Sequence, residues 1–228
     1  MRPPARRAEW KTAFQALAPL AALACALAFH GPVHAATLVI TVKTPDGHTL
    51  QGAVVTAYPL DGTPRKPAPI KAVMDQVNRA FAPDLLVIPV GSTVTFPNSD
   101  SVSHQIYSFS PVKRFQLPLY RGTPYPPVHF DQAGVVTLGC NIHDEMVGYL
   151  VVTDAPYYGR TDARGTWSSE LVHGRYRITI WHPRMRDEAA DLERELTIGE
   201  GDHAELTLRL VKSLTPAPLA ERPHSWDY

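Results

Sequence analysis

Apolar and polar positions alternate along most of the chain beyond residue 36, with the period of strands rather than helices. Residues 37–43, TLVITVK, are rich in β-branched side chains and predict a strand. Pro45-Asp46-Gly47 predicts a turn, and residues 53–58, AVVTAY, predict the next strand. Residues 59–69 hold four prolines and Gly62, the composition of a linker. A second block of short β-type runs follows at 72–76, 85–90, 93–96, 104–109, 128–130, 135–138 and 149–153. Turn signals such as Asn98-Ser99-Asp100 and Gln132-Ala133-Gly134 separate them, a pattern that predicts an all-β sandwich or barrel. Residues 117–127 carry four prolines and predict a long ordered loop, not a central strand. A third block predicts strands at 177–181, 195–198 and 204–210, and residues 213–228 predict a disordered tail. No sustained helical period is present after residue 35.

Composition changes the picture at the N-terminus. Arg2, Arg6, Arg7 and Lys11 precede an Ala/Leu-rich run, and Val33-His34-Ala35 offers small residues at −3 and −1. Residues 1–35 therefore predict a cleaved secretory signal. Its apolar run, interrupted by Gln15 and Pro19, is shorter than the ~20 residues a membrane span needs. The expected location is the periplasm or the exterior, with no membrane span after cleavage. The whole chain balances 22 basic against 22 acidic residues; without residues 1–35 the balance is 18 to 21. No basic run points to nucleic acid. Cleavage also removes Cys25, so Cys140 is left without a disulfide partner. A lone thiol in an oxidising compartment is a liability unless it is buried or metal-bound.

That thiol lies in Gly139-Cys140-Asn141-Ile142-His143-Asp144-Glu145-Met146. The spacing C-x2-H-x2-M places a thiolate, an imidazole and a thioether on one short loop. One short loop cannot surround an ion, and His104, opening a predicted strand after Asn98-Ser99-Asp100, is the candidate fourth donor. Two imidazoles, one thiolate and a weak axial thioether make a type 1 (blue) copper site. Zinc also accepts Cys and His donors but has no use for the Met. Taken singly, Cys140 reads as a core thiol, His143 as a turn residue and Met146 as a core filler. Their combination favours metal. His48, His129, His173, His182, His203 and His224 are assigned to no metal, and Asp144 and Glu145 read as solvated charges. No catalytic motif occurs: there is no G-x-S-x-G, H-E-x-x-H, phosphate loop or CxxC, so an enzyme is not expected.

Phe96, Asn98, Asp100, His104, Gly139, Cys140, His143 and Met146 together resemble a cupredoxin of the plastocyanin/azurin type. The short ligand loop is similar to that of amicyanin. The strings H-x-x-Y-S-F-S, F-x-L-P-L-Y and L-G-C-N-I-H-D-x-M-x-G-Y resemble cupredoxins of the methylamine-utilisation group. The resemblance implies a Greek-key β-sandwich over 70–155, one copper ion, and single-electron exchange with a c-type cytochrome or a dehydrogenase. It also implies that Asn98 ties the His104 strand to the Cys140 loop, and that His143 is the surface port. Many short-loop relatives have proline where this chain has Ile142. Ile142 restores an N–H, which predicts an added N–H···S bond and a raised potential. The flanks, V-x-x-P-D-G-x-x-L-x-G-A-V-V-x-A-Y and T-D-x-x-G-x-W followed by L-x-x-G-x-Y, resemble the carboxypeptidase regulatory-like (transthyretin-like) sandwich. The expected organisation is such an Ig/transthyretin-like sandwich, built discontinuously from 36–66 and 156–212, interrupted by the cupredoxin module. One continuous cupredoxin with extra strands is the plainer alternative. Two other functions stay open. One is a copper-delivery or resistance protein. The other is a carbohydrate- or surface-binding sandwich using Trp167, Tyr176 and Trp181.

Overall fold

The computed structural model describes residues 36–216, so the predicted signal and most of the predicted tail (217–228) lie outside the described residues. The fold is all-β, as the alternation predicts, with one four-residue helix, α1 (Ala189–Leu192), among the described residues. The first segment supplies β1 (Ala36–Lys43) and β2 (Val54–Pro59). The middle segment supplies β3 (Lys71–Val73), β4 (Asp75–Val77), β5 (Ala80–Ala82), β6 (Leu85–Pro89), β7 (Ser92–Thr95) and β8 (His104–Ser108). It continues with β9 (Phe115–Tyr120), β10 (Val128–Phe130), β11 (Gly134–Gly139) and β12 (Val147–Thr153). The last segment supplies β13 (Tyr157–Arg160), β14 (Thr166–Leu171), β15 (Gly174–Trp181), β16 (Arg194–Ile198) and β17 (His203–Arg209).

The first and last segments share sheets. Strand β1 lies between β14 and β17, and β2 lies between β13 and β15, with β16 beyond β15. Every second residue of β1, Ala36, Leu38, Ile40 and Val42, is buried. These side chains meet Val55 and Ala57 of β2 and Ile178 and Ile180 of β15 in one core. The middle segment builds a three-stranded sheet, β10-β7-β3, and a five-stranded sheet, β6-β12-β11-β8-β9. A second core of Ile88, Val94, Ile106, Phe130, Leu138 and Leu150 lies between them. The small hairpin β4–β5 turns at Asn78 and Arg79, both at positive φ (53° and 58°), the geometry of a two-residue hairpin turn.

Where the sequence predicts one long loop at 117–127, residues 117–120 belong to β9. Pro118 is tolerated because β9 is the edge of its sheet, where a missing N–H costs no ladder bond to a further strand. Residues 121–127 do form a loop, and paired bonds between Asn98 and Gly122 hold it (2.8 and 3.0 Å).

The two sandwiches meet within one compact unit that contains all the described residues. Val54, Leu85 and Val151 form a small third core, and Tyr149 and Trp181 stack edge-to-face at 5.7 Å. Arg160 donates to the Leu85 carbonyl at 2.9 Å. Beside Arg160, His182 accepts a bond from the Arg184 N–H through Nδ1 (3.2 Å). Burial, followed by Arg184 and Arg160, pushes the His182 imidazolium down to about 4 from an ordinary 6.5. Below pH 6.5 the unfolded chain takes up a proton that the folded chain refuses, so stability should fall between about pH 6.5 and 4. Urea midpoints measured across that window should decline in the wild type and less steeply in His182→Gln.

Candidate metal centre

Strand pairing brings the donors together. His104 opens β8, and Cys140 follows the last residue of β11, the neighbouring strand. Gly139 pairs with Tyr107 on one side and Val147 on the other, so the loop leaves the sheet between β8 and β12. A Cβ at Gly139 would sit 2.7 Å from the Tyr107 ring, which explains glycine immediately before the thiol. The loop then closes on itself. The Met146 N–H donates to the His143 carbonyl at 3.0 Å, and the Val147 N–H donates to the Glu145 carbonyl at 3.0 Å. This turn folds His143 back over Cys140.

His104 Nδ1 lies 3.2 Å from His143 Nδ1 and 4.0 Å from Cys140 Sγ, and His143 Nδ1 lies 3.9 Å from the same sulfur. Three donors at these separations share a point about 2.2 Å from each. Metal–nitrogen and metal–sulfur bonds need roughly 2.0–2.3 Å. Both Nδ1 atoms and the sulfur therefore converge as ligands of one ion do, and these residues are a metal-capable trio among the described residues. His104 is fully buried, Cys140 is a free thiol only 2% exposed, and His143 is half-buried. Met146 is buried in the same core as Cys140. Asp144 and Glu145 are exposed, as is His129 on β10.

The far side of His104 is also built. Its Nε2 lies 3.0 Å from Asp100 Oδ2, which accepts the Arg79 N–H as well (2.7 Å). Asp100 Oδ1 accepts the Ser101 N–H (2.7 Å). Burial pushes the Asp100 carboxyl up, but the bonds from Arg79, His104 and Ser101 outweigh it and hold the group at about 2. Asp100 stands in the N-x-D-x-x-x-H string, but spacing alone gives it no role. An acidic residue four before a ligand histidine was the available signal.

Two expectations need correction. Asn98 does not reach the Cys140 loop. Its amide donates to the carbonyls of Val102 (2.9 Å) and Tyr120 (2.8 Å), and its Oδ1 accepts the Asp100 N–H (3.0 Å). It ties the turn before His104 to the end of β9. The sulfur's hydrogen-bond contacts among the described residues are the two imidazoles, with no Ile142 N–H···S bond; Ile142 is 51% exposed. Beneath the site, buried Tyr120 donates to the Phe96 carbonyl (2.7 Å) and accepts from Gln76 Nε2 (2.6 Å). Gln76 carried no signal in the sequence because its partners are set only by the tertiary fold.

No family model and no curated protein matches the chain. Solved structures do. A purple cupredoxin from Nitrosopumilus maritimus is 30% identical over 36% of this chain and 99% of its own, with a TM-score of 0.33. A copper-containing nitrite reductase from Thermus scotoductus SA-01 is 24% identical over 42% of this chain, with a TM-score of 0.35. The match spans a quarter of that enzyme's length. A reduced amicyanin variant is 24% identical over 43% of this chain and 99% of its own, with a TM-score of 0.33.

Proposed function

We propose that this chain carries a cupredoxin module holding one type 1 copper ion, and that it passes single electrons between exported redox proteins. The observation that carries the reading is the donor triangle. Two imidazole nitrogens and one thiol sulfur surround a point at bonding distance from all three. The donor set is soft on one side and imidazole on two, the combination that suits copper in both oxidation states. Copper bound there would supply a one-electron couple between Cu(I) and Cu(II). The protein's part is to hold His104 and Cys140 rigidly inside a packed core, so that little rearranges when charge changes. Met146, buried beside them, is the candidate axial thioether.

His143 is the half-buried ligand, and apolar Ile142 (51% exposed) and Val147 (38% exposed) flank its loop. A small apolar rim suits a transient encounter better than a permanent complex. A c-type cytochrome or a dehydrogenase is the partner class we assign. Likeness to the methylamine-utilisation group makes an amine dehydrogenase the first to test. The organisation we propose is a cupredoxin module at 70–155 set into a transthyretin-like sandwich at 36–66 and 156–212. Sheets shared by the first and last segments support it.

Burial separates this reading from copper delivery, because His104 and Cys140 are not open to an acceptor protein. The carbohydrate-binding reading loses its platform. Trp167 and Tyr176 are buried, and Trp181 stacks on Tyr149. The test is a redox titration of the copper-loaded protein in the presence of a Cu(I) chelator. One reversible electron with copper retained supports the carrier. Loss of copper on each reduction supports delivery and contradicts it.

A further inference from the structure

We infer that Asp100 is a positioning residue for the metal centre: its carboxylate fixes the tautomer and orientation of His104 so that Nδ1, not Nε2, is the free donor. The inference rests on the metal-site reading above only for its purpose; the tautomer itself is a property of the protein without metal.

The chemistry leaves little choice. Both Asp100 oxygens accept backbone N–H groups, Oδ2 from Arg79 and Oδ1 from Ser101, so Asp100 is built as an acceptor, and its 3.0 Å contact with His104 Nε2 puts the proton on Nε2. A neutral imidazole with its proton on Nε2 has its lone pair on Nδ1. Nδ1 is the atom that faces His143 and Cys140. The ring is fully buried and Asp100 is 9% exposed, so water is a poor competitor for the bond.

The carboxylate is itself held from outside the ligand strand. Arg79 donates its backbone N–H to the same Oδ2 that meets His104. Arg79 can do so because the β4–β5 hairpin turns through two residues at positive φ, which aims this N–H outward. Asp75, the first residue of β4, accepts the Ser99 N–H (3.1 Å) and the Ser99 hydroxyl (2.8 Å). The Asn98 Oδ1 accepts the Asp100 N–H. The hairpin and the 98–101 turn thus form a clamp behind the ligand that reaches His104 through Asp100. The clamp also sets a negative charge against the buried imidazole. A negative charge there favours the more positive oxidation state of a bound ion and lowers its potential.

The test begins with the metal-free protein. Long-range ¹H–¹⁵N correlation of the His104 ring at neutral pH should show Nε2 protonated and Nδ1 bare. A protonated Nδ1 in the wild type overturns the inference, whether or not any variant folds and whether or not copper binds. In Asp100→Ala the two tautomers should mix, and copper affinity, measured against a competing chelator, should fall roughly 10–100-fold. Asp100→Asn removes the charge, and its midpoint potential should lie above that of the wild type. Folded variants with an unchanged tautomer, affinity and potential would give Asp100 a structural role only and refute the inference. A wild type with Nε2 protonated but no affinity for copper upholds the positioning of His104 and refutes the copper reading.

Discussion

Cys140→Ser is expected to abolish intense visible absorption in the copper-loaded protein and to weaken copper binding by more than the 10–100-fold typical of outer residues. Serine keeps the size and the backbone of the loop. The β11 strand, the glycine packed under Tyr107 and the turn from His143 to Met146 have no need of sulfur. What serine removes is the soft, ionisable donor, and with it the covalent metal–thiolate bond that gives such a site its colour. His104 and His143 would remain as a pair of imidazoles whose Nδ1 atoms lie 3.2 Å apart. Any residual Cu(II) bound to them should be pale and should show the wide copper hyperfine splitting of ordinary nitrogen and oxygen ligation. Absorption and chelator competition on the two proteins side by side measure both effects. The variant should fold as the wild type does, since Cys140 accounts for only a small part of its core.

The largest effect expected on stability alone comes from Phe130→Ala. Phe130 is 1% exposed on β10 and meets Phe115 edge-to-face at 6.2 Å, so it fills the space between the two sheets of the middle sandwich. Truncation removes its transfer energy and leaves a cavity that the sheets cannot close. That costs about 3–5 kcal/mol. Such a loss is a large share of a total of roughly 5–15 kcal/mol. It should lower the melting temperature by about 6–20 °C. His129→Ala, one residue earlier but exposed, should change stability by no more than about 0.5 kcal/mol. Chemical denaturation of the metal-free forms checks the contrast.

Some of this was legible before any fold was seen, and the reason is periodicity. In residues 36–43 the period-2 burial is the sequence pattern itself, and β1 covers that stretch. The ligand loop was legible because three donors lie within seven residues between two β-type runs. His104 was legible because a turn precedes it and a strand follows. What escaped depends on partners distant in the chain. Pro118 argues against a central strand and cannot say that an edge is vacant beside β8. Residues 80–82 are too short to show a period, yet Phe81 is buried in the core that also holds Cys140 and Met146. The amide of Asn98 had several acceptors within reach, and the fold chose Val102 and Tyr120. The N–H of Ile142 was free to reach the sulfur on paper, but the loop turns that residue outward. Asp100 sat in plain view, but its contacts with His104 Nε2 and with the Arg79 N–H of the β4–β5 hairpin are set by the tertiary fold.

His104, Cys140 and His143 are proposed to hold one copper ion through a thiolate bond. An EPR spectrum of the Cu(II)-loaded protein, taken with its visible spectrum, tests it most directly. One copper per chain, an unusually narrow copper hyperfine splitting and an intense thiolate-to-copper band are expected. A colourless protein that takes up no copper, or a wide hyperfine splitting unchanged in Cys140→Ser, would contradict it.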